Sequence, residues 1–297
     1  MIDVSIIVPV FNAAETLQAC LEALLQQDIR PERYELIVVD NNSSDASVEI
    51  ARGYQSVRVL MEPRQSAYAA RNRGLRAATG RFIAFTDADC VPRSDWLARL
   101  RERMNEPHTL VVMGRDRPGG RSKGVRLLGE YDHYKEIFVM AHTDPAVYYG
   151  HTNNLMARRE LFEHTGLFDE RPRGADVVFV QRVLASYGTV AVQYEPSAVV
   201  DHLELNSTRI YFRKAFIYGR SARGYCCIVP ARPLHTKERL RIFSKTVHSC
   251  GLSKIETGLL FGLLIIGVVA YGLGWLLTVP HPTASDMAGA DSQKAQT

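Results

Sequence analysis

Asp87 and Asp89, in Phe85-Thr86-Asp87-Ala88-Asp89, stand two residues apart directly after the apolar run Phe82-Ile83-Ala84. A buried parallel strand reads as a short β-rich apolar run, and ligands of open α/β sheets collect at the carboxyl ends of such strands. Two unpaired acids placed there repel each other and resist desolvation, so a bound divalent cation is the simplest reason to keep both. By themselves they equally suit a loop and the start of a following helix, where acids are common. A further acid, Asp40, ends Leu36-Ile37-Val38-Val39, where a carboxylate can accept hydrogen bonds from a base edge or ribose hydroxyls. Arg71, in Ala70-Arg71-Asn72-Arg73-Gly74, falls on a helix near the same edge and reads as a phosphate contact or as a solvated cationic face.

The elements that position these residues alternate. Val4 to Val10, Leu36 to Val39, Val57 to Leu60 and Phe82 to Phe85 are expected strands. Leu17, Leu21, Leu24 and Leu25 recur at helical spacing, Asp45 reads as the N-cap of a helix beginning near Ala46, and Ser66 to Ala78 reads as a helix closed by Gly80. Such βα repetition predicts an α/β fold with a mainly parallel sheet, right-handed crossovers and flanking helices. Val8-Pro9-Val10-Phe11-Asn12, Asp40 to Asp45 and Asp87-Ala88-Asp89 then end different strands at one sheet edge, which makes a site there more probable than any one motif does.

The chain has 297 residues, a net charge of +4 and 46% hydrophobic residues, enough for one or two domains with a real core. The charge is unevenly placed: Arg209 to Lys254 holds eleven Lys or Arg and one acid, Glu238. The five cysteines, Cys20, Cys90, Cys226, Cys227 and Cys250, have neither metal-ligand spacing nor the density of a disulfide scaffold, so a reduced compartment is expected. Thr257 to Val279 is a charge-free run of 23 residues, about 35 Å as a helix at ~1.5 Å per residue, long enough to cross a bilayer. Its basic flank lies on the N-terminal side (Lys237, Arg239, Arg241, Lys245, Lys254), which predicts a single-pass anchor with the preceding domain on the cytoplasmic face of an inner membrane. Gly258 and Gly262 are a GxxxG pair, a hint of helix pairing.

Ser5-Ile6-Ile7-Val8-Pro9-Val10-Phe11-Asn12, Val38-Val39-Asp40-Asn41-Asn42-Ser43-Ser44-Asp45, Ala70-Arg71-Asn72-Arg73-Gly74 and Asp87-Ala88-Asp89 together resemble, in order, the signatures of family 2 glycosyltransferases with the GT-A fold. The match covers about residues 2 to 220. The resemblance implies a nucleotide-diphosphate-sugar donor, Mn²⁺ or Mg²⁺ at the Asp-x-Asp motif, and transfer with inversion. It implies donor contacts at Pro9, Asn12, Asp40, Arg71 and Asp87, with Asp89 the more direct metal ligand and Asp87 toward sugar, ribose and metal. Ala13 departs from a common Glu, and Gln65-Ser66 from a common Gly.

Inverting transfer needs a base to take the acceptor hydroxyl's proton, and Asp169, Glu170 and Asp176 are the candidates. In the resembling family the base is the Asp of an acidic pair opening a helix after Gly; here Gly174-Ala175-Asp176 opens the run Val177 to Leu184, so Asp176 is the expected base and Ala175 replaces the pair's first acid. The alternative for Asp176 is a charge that complements the helix dipole. Gly150-His151-Thr152-Asn153-Asn154 looks like the strand that closes over the donor sugar; side chains alternate along a strand, so one Asn faces the site, and Asn154 is the one expected. His202, after Ala198 to Asp201, is a candidate further metal ligand, since imidazole suits Mn²⁺, or else a surface residue. Arg213 and Arg220, in Tyr211 to Arg220, are read as contacts to diphosphate or acceptor, or to anionic lipid. Nucleic acid is not an expected partner.

The organisation expected is a nucleotide-sugar-binding half (1–100), an acceptor-binding half (101–228), a basic amphipathic juxtamembrane segment (229–254), a transmembrane helix (255–279) and a polar flexible tail (280–297). The function expected is a metal-dependent inverting glycosyltransferase acting on a lipid-linked or cell-surface glycan precursor. A nucleotidyltransferase and a non-catalytic sugar-nucleotide-binding membrane protein are the alternatives, although Phe11-Asn12-Ala13-Ala14-Glu15 lacks the Gly-rich, cationic loop that the former needs.

Overall fold

In the computed structural model, which describes residues 2 to 278, the β-branched runs form the strands and the Leu- and Ala-rich runs the helices. The chain order is β1 (Val4–Val10), α1 (Leu17–Leu25), β2 (Tyr34–Asp40), α2 (Ser47–Arg52), β3 (Val57–Met61), α3 (Ala67–Ala77), β4 (Phe82–Thr86), β5 (Cys90–Pro92), α4 (Trp96–Arg103) and β6 (Val111–Pro118). It continues with α5 (Lys123–Met140), β7 (Asn154–Arg158), α6 (Leu161–Thr165), α7 (Ala175–Tyr187), β8 (Val192–His202), α8 (Thr208–Tyr225), α9 (Thr236–Ser249) and α10 (Lys254–Leu276). The expected tail at 280–297 lies outside the described residues.

One eight-stranded sheet runs in the order β3-β2-β1-β4-β7-β6-β8-β5. The first four strands are parallel, as βα alternation requires. The two halves share this sheet: β7 adds to β4 antiparallel, with Thr86 opposite Asn154, and β5 leaves its sequence neighbours to pair with β8 at the far edge. Apolar layers cover both faces, with Phe85, Phe162, Phe168 and Phe179 packed together on one side and Leu17, Leu21, Trp96 and Leu100 on the other.

Two details of this sheet create the site. Pairing between β1 and β4 stops at Ile7 opposite Phe85, so the chains diverge beyond it into a crevice at the carboxyl edge. Pro9 lies past that last pair, where its missing N–H removes nothing from the β1–β4 ladder. The register of β5 against β8 sets Cys90 opposite His202, which brings Asp89 beside a residue more than a hundred positions away.

α10 begins with a capping box in which Ser253 and Glu256 satisfy each other's backbone N–H, a signature legible as Ser-x-x-Glu. Among the described residues it is the helix long and apolar enough to cross a membrane. It does not stand apart from the rest. One face of it packs along α8, and Leu260 is buried with Leu127, Tyr131 and Ile242.

Candidate active site

Asp89 follows β4 on the turn into β5 and His202 is the last residue of β8; His202 Nε2 lies 3.1 Å from Asp89 Oδ2. The Cys90 thiol completes a group of three potential ligand atoms within 4.8 Å of one another. Burial, then the charges of Asp89 and Asp87, push that thiol well up, so Cys90 stays a protonated packing residue. Burial raises the Asp89 carboxyl, but the hydrogen bond and charge of His202 outweigh it and leave the group below its ordinary value. The mirror holds for His202, which burial lowers and Asp89 lifts above its ordinary value overall. Lys214 Nζ sits 3.0 Å from His202 Nε2. The Asp89 carboxylate and the His202 imidazole converge as an oxygen and nitrogen donor set that fits a divalent cation such as Mn²⁺.

Asp87, expected on the same ion, is placed otherwise. Its carboxylate is taken by the guanidinium of Arg71, which is buried on α3, and it does not join the Asp89–His202 group. Arg71 also lies over the ring of Tyr68, one turn earlier on α3, with 5.2 Å from its guanidinium carbon to the ring centre. The Tyr68 hydroxyl donates to Asp176 Oδ1 at 3.0 Å. One helix thus ties an acid of the strand-end motif to the expected base. Asn72 on the same helix exchanges two hydrogen bonds with the backbone of Phe168, at 2.8 and 3.1 Å, and fixes the loop leading to α7.

Asp176 stands in the first turn of α7, which follows Gly174 at φ 84°, a left-handed value that glycine adopts without strain. Burial pushes the Asp176 carboxyl up; Arg71, the Tyr68 hydroxyl, the Val177 N–H and His151 offset this only in part, and the group ends above its ordinary value. Asp169 and Glu170 are ion-paired to Arg182 and Arg64 respectively.

At the β1–β2 end, Asp40 is buried and its carboxylate accepts the N–H groups of Asn42 and Ser43 at 3.1 and 3.2 Å. Asn12, at φ 48°, uses its Oδ1 to accept from Ser44 N–H at 2.8 Å, stapling the loop after β1 to the loop after β2. α2 starts one residue later than expected, with Ala46 and not Asp45 at its N-cap; Asp45 stands one place before it and accepts the Ser47 N–H at 3.0 Å.

The two asparagines divide at the start of β7, with Asn153 on the turn before it and Asn154 its first residue. Asn154 is fully buried and turned away from the cleft: its Oδ1 accepts Trp96 Nε1–H at 2.8 Å, and its Nδ2 donates to Ala198 O at 3.0 Å and Arg115 O at 3.1 Å. The slot exists because Gly114 has no side chain, since a Cβ there would lie 2.4 Å from Asn154 Oδ1. Asn153 takes the site-facing place, with its amide toward Asp116 Oδ2 at 2.5 Å and His202 Nδ1 at 3.3 Å. Asn154→Leu leaves three buried partners unsatisfied at roughly 1–3 kcal/mol each, so we expect a loss of at least about 3 kcal/mol in denaturant unfolding.

Residues not singled out by motif also line the cleft. His151 Nε2 lies 3.7 Å from Glu136 Oε1 and its Nδ1 4.0 Å from Asp116 Oδ2. Burial lowers His151, but Asp116, Glu136 and Asp176 lift it above its ordinary value overall. On α8, Lys214 reaches the site while Arg213 and Arg220 do not; both are exposed on another side of the helix. The interleaving of aromatics and cations in that segment was visible in the sequence, but which cation pointed inward depended on the rotation of α8.

A family model described as "Glycosyl transferase family 2" matches residues 5–166. The chain is 34% identical over 190 residues to glycosyltransferase AglE of Haloferax volcanii, covering 60% of each protein. It is 29% identical over 234 residues to the pre-mycofactocin glycosyltransferase of Mycobacterium tuberculosis, covering 74% of this chain and 47% of that one. The matches thus span three-fifths or less of these relatives' length. Among solved structures, a mannosyltransferase from Pyrobaculum calidifontis in complex with GDP-Man and Mn²⁺ superposes with a TM-score of 0.60 at 19% identity, covering 99% of this chain and 79% of that one. Glucosyl-3-phosphoglycerate synthase from Mycobacterium tuberculosis, in complex with Mn²⁺, UDP-glucose and phosphoglyceric acid, gives 0.51 at 17% identity, covering 85% and 81%. The fold is GT-A.

Proposed function

The chain belongs to glycosyltransferase family 2, and from that premise we propose that it transfers a sugar from a nucleoside-diphosphate donor to an acceptor hydroxyl with inversion at the anomeric carbon. The observation that carries this reading is the linkage through α3: Tyr68 holds Asp176 and Arg71 holds Asp87, so a proton acceptor and a strand-end acid are fixed on one rigid element. Asp176, held above its ordinary value, takes the acceptor hydroxyl's proton as the oxygen forms its bond to the sugar carbon and the diphosphate leaves from the opposite face. In this reading Asp40, buried at the end of β2, binds the base or ribose, and Arg71, buried on α3, meets a phosphate or sugar hydroxyl. Asn153 replaces Asn154 as the amide facing the donor sugar.

Asp89 and His202 are the residues that would hold a divalent cation. When bound, such a cation supplies Lewis acidity that offsets charge on the departing diphosphate. Mn²⁺ suits the mixed carboxylate and imidazole pair better than Mg²⁺ does, because Mg²⁺ favours an all-oxygen shell. Two of the solved neighbours carry Mn²⁺ together with GDP-mannose or UDP-glucose, which supports a nucleotide sugar as the donor class. The apolar C-terminal helix supports work at a membrane, with the catalytic domain on the cytoplasmic face and a lipid-linked glycan precursor as acceptor.

A thermal-shift panel of nucleotide sugars with and without Mn²⁺ tests the reading, because a ligand bound only by the folded chain raises its apparent stability. One donor that shifts the midpoint only with metal supports it; a flat panel overturns it. The pH dependence follows from Asp176. A base must be ionised to act, so the acid limb of kcat/KM is expected above the ordinary value of an aspartate, in the direction in which burial shifts Asp176. A kcat/KM profile measured against pH checks it.

A further inference from the structure

α10 is bound to the catalytic domain along its whole length. Lys123 Nζ meets Glu256 Oε1 at 3.1 Å in its first turn, and Leu263 packs against Gly124 of α5. Farther on, two glycines let the backbones of α8 and α10 touch: a Cβ on Gly219 would lie 2.0 Å from Tyr271 O, and one on Gly274 2.0 Å from Phe216 O. Arg223 then donates to Trp275 O at 3.2 Å. The expected pairing glycines, Gly258 and Gly262, instead face open space.

From Leu259 onward the opposite half of α10 is exposed and apolar: Leu259, Ile266, Val269, Leu273 and Leu276 are 40%, 50%, 55%, 48% and 72% exposed. Spaced at 3.6 residues per turn, these positions share one side of the helix. α8 is sorted in the same way. Tyr211, which donates to Asp132, and Lys214, which meets His202, lie on its site-facing side. Arg209, Arg213 and Arg220 are exposed on the roughly opposite side, beside the strip that meets α10.

We infer that α8 and α10 form one platform lying along the surface of an anionic membrane, with the outer face of α10 among the acyl chains and the three arginines of α8 on the head groups. Packed helices lie about 8–10 Å apart, and an interfacial helix buries its apolar face about 5–10 Å deep, so the arginines come to the head-group level when α10 is seated. A helix that crossed the bilayer in this packing would carry α8 and its exposed arginines into hydrocarbon, together with Lys214 and the His202 end of the site. The platform explains why the cations of α8 divide: Lys214 turns to the site, Arg223 to α10, and the other three outward. This deepens the membrane placement proposed above and is read without any transfer assay.

The test uses the full chain, purified in detergent and mixed with vesicles of phosphatidylcholine alone or with phosphatidylglycerol. Flotation is expected with the anionic vesicles, and replacing Arg209, Arg213 and Arg220 by Ser should lower partitioning roughly a hundredfold, at about fivefold per cation. An unchanged thermal midpoint in this variant shows that the fold is intact, and equal partitioning would overturn the arginine assignment. Orientation is read with Leu259→Cys, Ile266→Cys and Leu273→Cys, one at a time, in a chain whose Cys226, Cys227 and Cys250 are Ser and whose Cys20 and Cys90 are buried, labelled with a fluorophore and quenched by lipids carrying nitroxides at shallow or deep acyl positions. Equal shallow depths at all three support the platform. A label at 266 much deeper than one at 259 means a crossing helix and overturns it while leaving membrane placement intact. No flotation on either vesicle defeats both readings. Unquenched labels with a doubled mass mean that a second copy covers the face, which also overturns the platform.

Discussion

Asp176→Asn is expected to lower kcat by roughly a hundred- to ten-thousand-fold, the range associated with a lost general base, while the donor still shifts the melting temperature. The amide keeps an oxygen for the Tyr68 hydroxyl and differs in the charge it carries. The folded chain holds the Asp176 carboxyl above its ordinary value, mainly through burial, so ionising it costs stability. That penalty sets in as pH rises through the unfolded-state value and is complete above the folded-state one. The Asn variant should therefore be as stable as the parent at acidic pH and equal or more stable near neutrality. Loss of turnover with a gain in stability separates a catalytic base from a structural cap, since a cap stabilised by the helix dipole would show the reverse. Full turnover with Asn at 176 would remove the base assignment.

The second large effect is at Asp89. Replacing it by Ala removes one of two converging donors and leaves His202 facing Lys214 without the intervening carboxylate. Turnover should fall roughly a hundred- to thousand-fold, comparable with loss of one electrostatic stabiliser of a developing charge. The midpoint shift produced by Mn²⁺ with a nucleotide sugar should vanish as well. Asp87→Asn is the control, because Asp87 pairs with Arg71 and stands apart from the Asp89–His202 group. It should weaken donor binding while the Mn²⁺ response persists. If both variants lose the metal response equally, the two acids share the ion and the division drawn from their contacts is mistaken.

These expectations differ in how far they were visible before the fold. The carboxylates at strand ends were legible because a strand buried on both faces shows as an apolar run, and the first polar residue after it marks the sheet edge. The βα alternation, the helical leucines of α1 and the apolar run of α10 were legible for the same reason: each reports burial over a few neighbouring residues. Tyr68 was not, since an aromatic on an Ala-rich helix reads as core, and its hydroxyl matters only because α7 lies opposite. Lys214 does not stand out from Arg213 and Arg220 in the sequence, because composition records that cations are present and not which way each points. Adjacent residues do not tell which of Asn153 and Asn154 faces the site; that depends on Gly114, which opens a slot for the Asn154 amide and belongs to β6, a strand whose place beside β7 is set only by the sheet order.

The sequence by itself determined the class of the molecule: a parallel βα sheet with acids on its carboxyl edge, the ordered signatures of a glycosyltransferase family, and an apolar helix after a cationic stretch. These follow from residue types and from periods of 2 and 3.6, which the backbone imposes locally. The tertiary structure alone decided which of those residues meet. Asp89 finds His202 through the register of β5 on β8, Asp176 finds Tyr68 and Asp87 finds Arg71 through the packing of α3, and α10 finds α8 through two glycines 55 residues apart. Contacts so distant in sequence depend on loop paths and on close packing of whole elements, and no local pattern encodes either one.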